Sequence, residues 1–328
     1  MIRKFFAALG CAVLGAAVML LALPLLPGQL LPHGRAETLA ATEAETAPAE
    51  PEPFDEAVTL RVLVDGAVRE QTLHDYLVCV LLAEVPSGFA AEALKAQACA
   101  ARTFALRQAG AGKHAEADVC ASAACCQGWY APEQWPEHAA AEAAVTETDG
   151  LAVVYDWQLI DATYFSCSGG RTEAAVAVWG GEIPYLQSVP SPGEEDAPRE
   201  TETLTFTAEE FRDHITPARP DADLSGTPET WFGIVRYTEG GGIGTLELGG
   251  ASFTGTELRR LLGLRSTDIE FSPQEDGVTV TTHGFGHRVG LSQYGAEAMA
   301  QAGRRFDEIL LHYYQGTEIR RLTLDGEK

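Results

Sequence analysis

The sequence predicts an α+β fold, mixed helices and short antiparallel strands, preceded by a single N-terminal transmembrane helix. Three observations carry this expectation. Helical and strand patterns are interspersed without the regular strand–helix alternation that builds a doubly wound sheet. Glycine turns separate several short strand patterns. Residues 5–26 form an uncharged apolar run of 22 residues, long enough to cross a hydrocarbon core of about 30 Å.

That run follows Arg3 and Lys4, and positive charge on the short side predicts a cytoplasmic N-terminus. The expected location is therefore the cell membrane, single-pass, with the remaining domain outside the cytoplasm. A cleaved signal peptide is the alternative, but no clean small-x-small cleavage site follows Leu26. Residues 36–57 hold six glutamates, one aspartate and three prolines, and so read as an extended, self-repelling linker.

The globular part starts with alternation from Val58 to Val64 and a turn at Asp65-Gly66, with a hairpin partner over residues 68–73. Residues 74–83 are apolar on nearly every face, which predicts a buried helix stopped by Pro86. Residues 89–108 hold strong helix formers and stop at Gly110. Residues 111–135 read as irregular. A helix over 139–148, a strand over 151–155 and a weaker one over 159–165 follow. Residues 190–203 read as an exposed acidic loop. Helices are expected over 206–215, 257–262 and 293–301, and strands over 231–237, 244–248 and 278–282. The expected divisions are 1–35 (cytoplasmic start and anchor), 36–57 (linker), 58–320 (extracytoplasmic domain) and 321–328 (tail).

Composition excludes some functions. Lys plus Arg total 23 and Asp plus Glu 47, a formal charge of −24, so the chain lacks the basic footprint of a nucleic-acid binder. Seven cysteines are too few for a disulfide scaffold of this length.

Three constellations can carry chemistry. Glu84 ends an apolar run, where burial of its charge is costly; it is either a carboxyl with a raised pKa, as a general acid needs, or a helix-end residue in water. His114, Cys120 and Cys126, with Cys125 adjacent, are soft donors suited to zinc, and three ligands would leave an open position. A disulfide or plain thiols are the alternatives. Residues 282–295 hold four glycines with His283, His287, Arg288, Gln293 and Tyr294, a backbone able to approach a ligand or simply to turn before a helix. A lesser feature, residues 165–172, offers Ser168 and two glycines as a sugar-binding lip or an ordinary turn.

Taken together, these motifs resemble the SpoIID/LytB family. The resemblance rests on Ala83-Glu84-Val85-Pro86, residues 92–98, Ala101-Arg102-Thr103, the His114/Cys120/Cys126-Gln127 spacing, Ser168-Gly169-Gly170-x-Thr172, Pro184-Tyr185-Leu186, residues 258–264, the 284–295 loop and residues 312–316. It spans about residues 57–320. It implies a lytic transglycosylase that cleaves peptidoglycan glycan strands lacking stem peptides and leaves anhydro-muramic ends, in septal wall remodelling during sporulation engulfment. It implies Glu84 as the catalytic acid, with Lys95, Arg102, Ser168, His283, His287, Gln293 and Tyr294 supporting or binding substrate. It also implies zinc on His114, Cys120 and Cys126, and an amidase/endopeptidase and a membrane protein as partners. One departure is Arg288, where the family usually has glycine and a charged side chain would change the loop's shape. Two rivals differ in product or in kind: a zinc amidase or peptidase, and a non-catalytic wall-binding activator of an amidase.

Overall fold

The computed structural model describes residues 53–131 and 138–324. The α+β expectation holds: helices and short strands are mixed throughout. The membrane location is corrected, because among the described residues no helix is long and apolar enough to cross a membrane. Residues 5–26, on which that expectation rested, lie outside the described residues.

The chain runs α1 (Phe54–Ala57), β1 (Thr59–Val64), β2 (Ala67–Thr72), α2 (Leu73–Glu84), α3 (Ala91–Ala111), β3 (Val119–Cys120) and α4 (Ala139–Glu147). Then come β4 (Leu151–Tyr155), β5 (Gln158–Leu159), β6 (Tyr164–Phe165), α5 (Ala175–Trp179), β7 (Thr201–Thr207) and α6 (Ala208–Ile215). The remainder is β8 (Phe232–Tyr237), β9 (Ile243–Leu248), β10 (Ala251–Thr254), α7 (Gly255–Leu262), β11 (Asp268–Gln274), β12 (Gly277–His283), β13 (Leu291–Ser292), α8 (Gln293–Gln301), α9 (Phe306–Tyr313) and β14 (Glu318–Arg321). Most strand pairs are antiparallel, but β1 with β3 and β6 with β13 run parallel, which the sequence reading did not anticipate.

Helix α3 organises the core. Its Leu94, Ala98, Ala101 and Ala105 face one apolar cluster with α2, β1 and α4. Its Ala93, Ala96, Cys99 and Ala100 face a second cluster with β4, α8 and α9. Helical spacing puts these sets on different sides, and alanine lets neighbours approach closely on both. A third cluster fills the lobe made by α6, α7 and the two sheets β10-β9-β8 and β11-β12-β7.

Two stretches read as unstructured are built into this frame. Residues 54–57, assigned to the acidic linker, form α1. Asp149 accepts from the free N–H groups of Phe54 (3.1 Å) and Asp55 (2.8 Å), which satisfies the start of the short helix. Asp55 is buried because Arg102 on α3 holds it, with Nε at 2.9 Å and Nη2 at 2.5 Å. The end of the expected acidic loop is β7, where Leu204 and Phe206 turn inward between outward threonines and pair with Val280 and Val278 of β12.

Candidate active site

Four separated segments bring Glu84 its neighbours. Glu84 is the last residue of α2, and Pro86 prevents the helix from continuing. Gly128 follows the Cys125-Cys126 turn and donates its N–H to Glu84 Oε1 at 2.5 Å. A Cβ at residue 128 would sit 3.0 Å from that oxygen and 3.3 Å from Ala83 Cβ, so glycine is what allows the approach. Tyr164 comes from β6, and Gln293 from the start of α8. The parallel pairing of Leu291 with Tyr164 and Ser292 with Phe165 sets those two side by side.

The hydrogen bonds around Glu84 are directional. Tyr76, on α2 itself, donates to Gln127 Oε1 at 2.9 Å. Gln127 Nε2 donates to the Tyr164 hydroxyl at 2.9 Å and to the Ala101 carbonyl at 3.4 Å. The Tyr164 hydroxyl thus accepts from Gln127 and turns its own proton to Glu84. Gln293 lies near enough to lower the Glu84 pKa, although its buried Nε2 makes no hydrogen bond within geometric limits. Burial pushes the Glu84 carboxyl above its ordinary pKa, and this outweighs the opposing donors Gly128, Tyr164 and Gln293.

Glu84 opens onto a cleft of about 710 Å³. Phe104, Phe165 and Phe285 give it apolar walls, and Glu84 is the only carboxylate among its described lining residues. Arg199 and Arg259 also line it.

The sequence-predicted residues divide into three groups. Glu84, Gln293, His287 and Cys126 meet at the cleft. His287 is neutral: burial, then the charge of Arg259, lower its pKa to about 4, and its Nδ1 accepts from the Val289 N–H at 3.1 Å. It packs between Phe165 and Trp179, at 5.6 and 5.5 Å between ring centres. Tyr294 packs edge-on against Phe89 at 5.2 Å and does not line the cleft. Lys95, Arg102, Ser168 and His283 do not line it either. Lys95 pairs with Glu92 (2.9 Å) and Glu147 (2.7 Å). Arg102 is the buried partner of Asp55, and Thr103 accepts from the Val153 N–H at 2.9 Å, so Ala101-Arg102-Thr103 joins α3 to its surroundings. Ser168 is buried against Glu194, to which its N–H and hydroxyl donate at 2.6 and 2.7 Å. His283 meets Glu200 at 3.3 Å.

Arg288 keeps the glycine-like backbone with φ of 64°. Its buried guanidinium leaves the loop surface, donates to the carbonyls of Arg171 (3.0 Å) and Gly240 (2.7 Å), and lies beside Glu173 and Asp268. The apparent intrusion is a clamp between the loop and the third lobe.

His114, Cys120, Cys125 and Cys126 form a cluster able to hold a metal ion, with donor atoms all within 4.8 Å of one another. His114 Nε2 lies 3.2 Å from Cys126 Sγ and 3.9 Å from Cys125 Sγ. No two of the described cysteines are joined in a disulfide. The set is closed by strand and turn: Cys120 ends β3, and Ser122 O accepts from the N–H groups of both Cys125 and Cys126. Three sulfurs and one imidazole fit zinc in its four-coordinate structural form, rather than the open three-ligand site expected. Crowded thiols resist joint ionisation, and burial pushes Cys120 up to about 12; a divalent cation is what would let all three ionise. Cys126, Gln127 and Gly128 are consecutive, so one short peptide joins the cluster, the tyrosine network and the donor to Glu84.

Sequence reasoning passed over Tyr164 and gave no role to Gln127, Gly128, Arg199 or Arg259. A tyrosine in an apolar strand signals that its hydroxyl needs a partner, but not which one.

Fold and site define a class: an α+β protein with one raised-pKa glutamate in a large cleft, beside a His/Cys cluster. The family described as "Stage II sporulation protein" (SpoIID) matches residues 65–155. Stage II sporulation protein D of Bacillus subtilis (strain 168) is 37% identical over 265 residues, covering 77% of this chain and 76% of the relative. Its counterpart from Bacillus amyloliquefaciens is 35% identical over 294 residues, covering 85% and 84%. An "Amidase enhancer" of B. subtilis (strain 168) is 28% identical over 287 residues, covering 72% of this chain and 39% of the relative. The chain belongs to the SpoIID family.

Proposed function

We propose that the protein is a peptidoglycan lytic transglycosylase whose catalytic acid is Glu84, acting in septal wall remodelling during sporulation. The observation that carries this reading is the solitary carboxylate. Glycosidases that use water commonly employ two carboxyl groups flanking the bond. A lytic transglycosylase takes its nucleophile from the substrate, so one carboxyl suffices. Protonated Glu84 gives its proton to the glycosidic oxygen as the bond from muramic C1 breaks. The resulting carboxylate takes a proton from the same sugar's hydroxymethyl group, whose oxygen bonds to C1 and closes the anhydro ring. The raised pKa of Glu84 supports the first step, and the donors Gly128, Tyr164 and Gln293 would steady the carboxylate between the two.

Zinc would be held by His114, Cys120, Cys125 and Cys126, where a closed four-ligand set supplies rigidity to the loop that carries Gln127 and Gly128. That donor count, with His283 outside the cleft and His287 neutral and already engaged, favours glycan cleavage over a zinc amidase. An amidase that strips stem peptides is the partner this substrate calls for. The amidase enhancer among the relatives supports a second reading, in which the domain binds wall and stimulates an amidase.

The test incubates the full chain and Glu84→Gln with peptide-free glycan strands and identifies products by mass spectrometry. Anhydro-muramic ends from the wild type alone are expected. Wall binding without cleavage by either protein would sink the transglycosylase reading and favour the activator.

A further inference from the structure

We infer that Arg199 and Arg259 form a carboxylate-recognition subsite in the cleft, which reads the free lactyl carboxylate of a muramic acid that has lost its peptide. The inference rests on the glycan-strand reading above and assigns the residues that would select the strand.

The chain has 47 acidic residues and 23 lysines plus arginines, so carboxylates are abundant. Arg102, Arg171, Arg219, Arg265 and Arg288 each meet one. Among the described residues Arg199 and Arg259, like Arg69, Arg107, Arg212, Arg236 and Arg260, form no ion pair, and of these only Arg199 and Arg259 line the cleft. The single hydrogen bond of Arg259 is from Nε to the Leu264 carbonyl at 3.4 Å, which leaves both terminal nitrogens without a protein acceptor. Burial lowers the pKa of this guanidinium, the mark of a cation removed from water without compensation. Arg199 takes no hydrogen bond and adopts a left-handed backbone, φ 70°, a conformation that arginine rarely enters.

The two residues come from separate parts of the fold. Arg259 is on α7 in the third lobe, and Arg199 precedes β7. The segment that carries Arg199 is itself anchored. Glu194 is buried and accepts from Ser168, Gly169 and Ser191, while Glu200 meets His283. The acidic stretch at 194–202 therefore has a role: it fixes the chain that presents an arginine to the cleft.

A guanidinium matches a carboxylate with two parallel donors and strong charge assistance. The lactyl group of muramic acid ends in a carboxylate only when no peptide is attached. In a peptide-bearing strand the same carbon is a neutral amide. An uncompensated cation distinguishes these two states more sharply than shape does, because an amide cannot neutralise it.

The test measures binding of the wild type, Arg259→Gln, Arg199→Gln and Arg259→Lys to two strands: peptide-free glycan, and the same glycan with its lactyl carboxylates converted to methylamides. The wild type is expected to prefer the carboxylate strand by roughly 10- to 100-fold, the range for one charge-assisted hydrogen bond. Arg259→Gln and Arg199→Gln should each bring the ratio towards unity. Arg259→Lys, which keeps the charge and loses the fork, should fall between. Equal affinity of the wild type for both strands, or a ratio unchanged in both Gln variants, overturns the proposal. Thermal denaturation of each variant separates a lost subsite from a lost fold. Binding discrimination in a protein that cleaves neither strand would support the subsite while refuting the transglycosylase, so the two readings fail separately.

Discussion

Tyr164→Phe tests whether the hydrogen-bond network sets the working pH of Glu84. The substitution removes one oxygen, and with it the proton turned to the carboxyl. Hydrogen bonds to a charged group contribute about 1.5–3 kcal/mol. At about 1.36 kcal/mol per factor of ten, losing this one favours the acid form of Glu84 by roughly 10- to 100-fold and so raises its pKa. The direction follows from which form is favoured: Tyr164 stabilises the carboxylate, so its loss favours the acid. An acid catalyst works below its pKa and fails as pH rises through it. The alkaline limb of anhydro-end formation should therefore move up. The structural cost is modest, about 1 kcal/mol, because Gln127 Nε2 keeps the Ala101 carbonyl. Tyr164 itself stays protonated across the useful range, since burial and the nearby Glu84 raise its pKa well above 10. The assay is the rate of anhydro-muramic end formation on peptide-free strands from about pH 4 to about pH 9, against the ordinary glutamate near 4.3. A limb that stays in place or moves down refutes the reasoning.

Two further outcomes separate structure from chemistry. Arg102→Ala strands Asp55 in the core and should cost about 3–5 kcal/mol by chemical denaturation, whereas Lys95→Ala, whose ion pairs lie partly exposed, should change stability by less than about 1 kcal/mol. Elemental analysis should find about one zinc per chain, and Cys125→Ala should weaken retention against a chelator and lower the Tm; unchanged retention would return the site to three ligands.

What the sequence made legible depended on how local the cause was. Helix α2 and its terminal glutamate were readable because an apolar run and Pro86 lie within a few residues of each other. The metal cluster was readable by residue type, but its fourth ligand was not. Adjacent Cys125 and Cys126 look like alternatives until the turn at Ser122 directs both sulfurs to His114. The pairing of Arg102 was not legible because its partner Asp55 is 47 positions away and was counted as linker. Gln127 gained its role from a β6 tyrosine, 37 positions on, that only the parallel pairing with β13 brings near. No strand was expected over β11, where Pro273 sits opposite Val278 in a regular ladder. Arg288 looked like a disruption because a loop position reveals neither its left-handed backbone nor the carboxylates behind it.

The buried pair of Asp55 and Arg102 sets where the chain can be shortened. Trimming to residue 58, where the first strand pattern begins, would remove Asp55 and leave Arg102 enclosed with only neutral acceptors. A recombinant fragment cut there should be poorly soluble for reasons unrelated to its active site. A cut before Pro53 retains the short helix, its Asp149 cap and the counter-ion, and lies several residues earlier than hydrophobic patterning indicates.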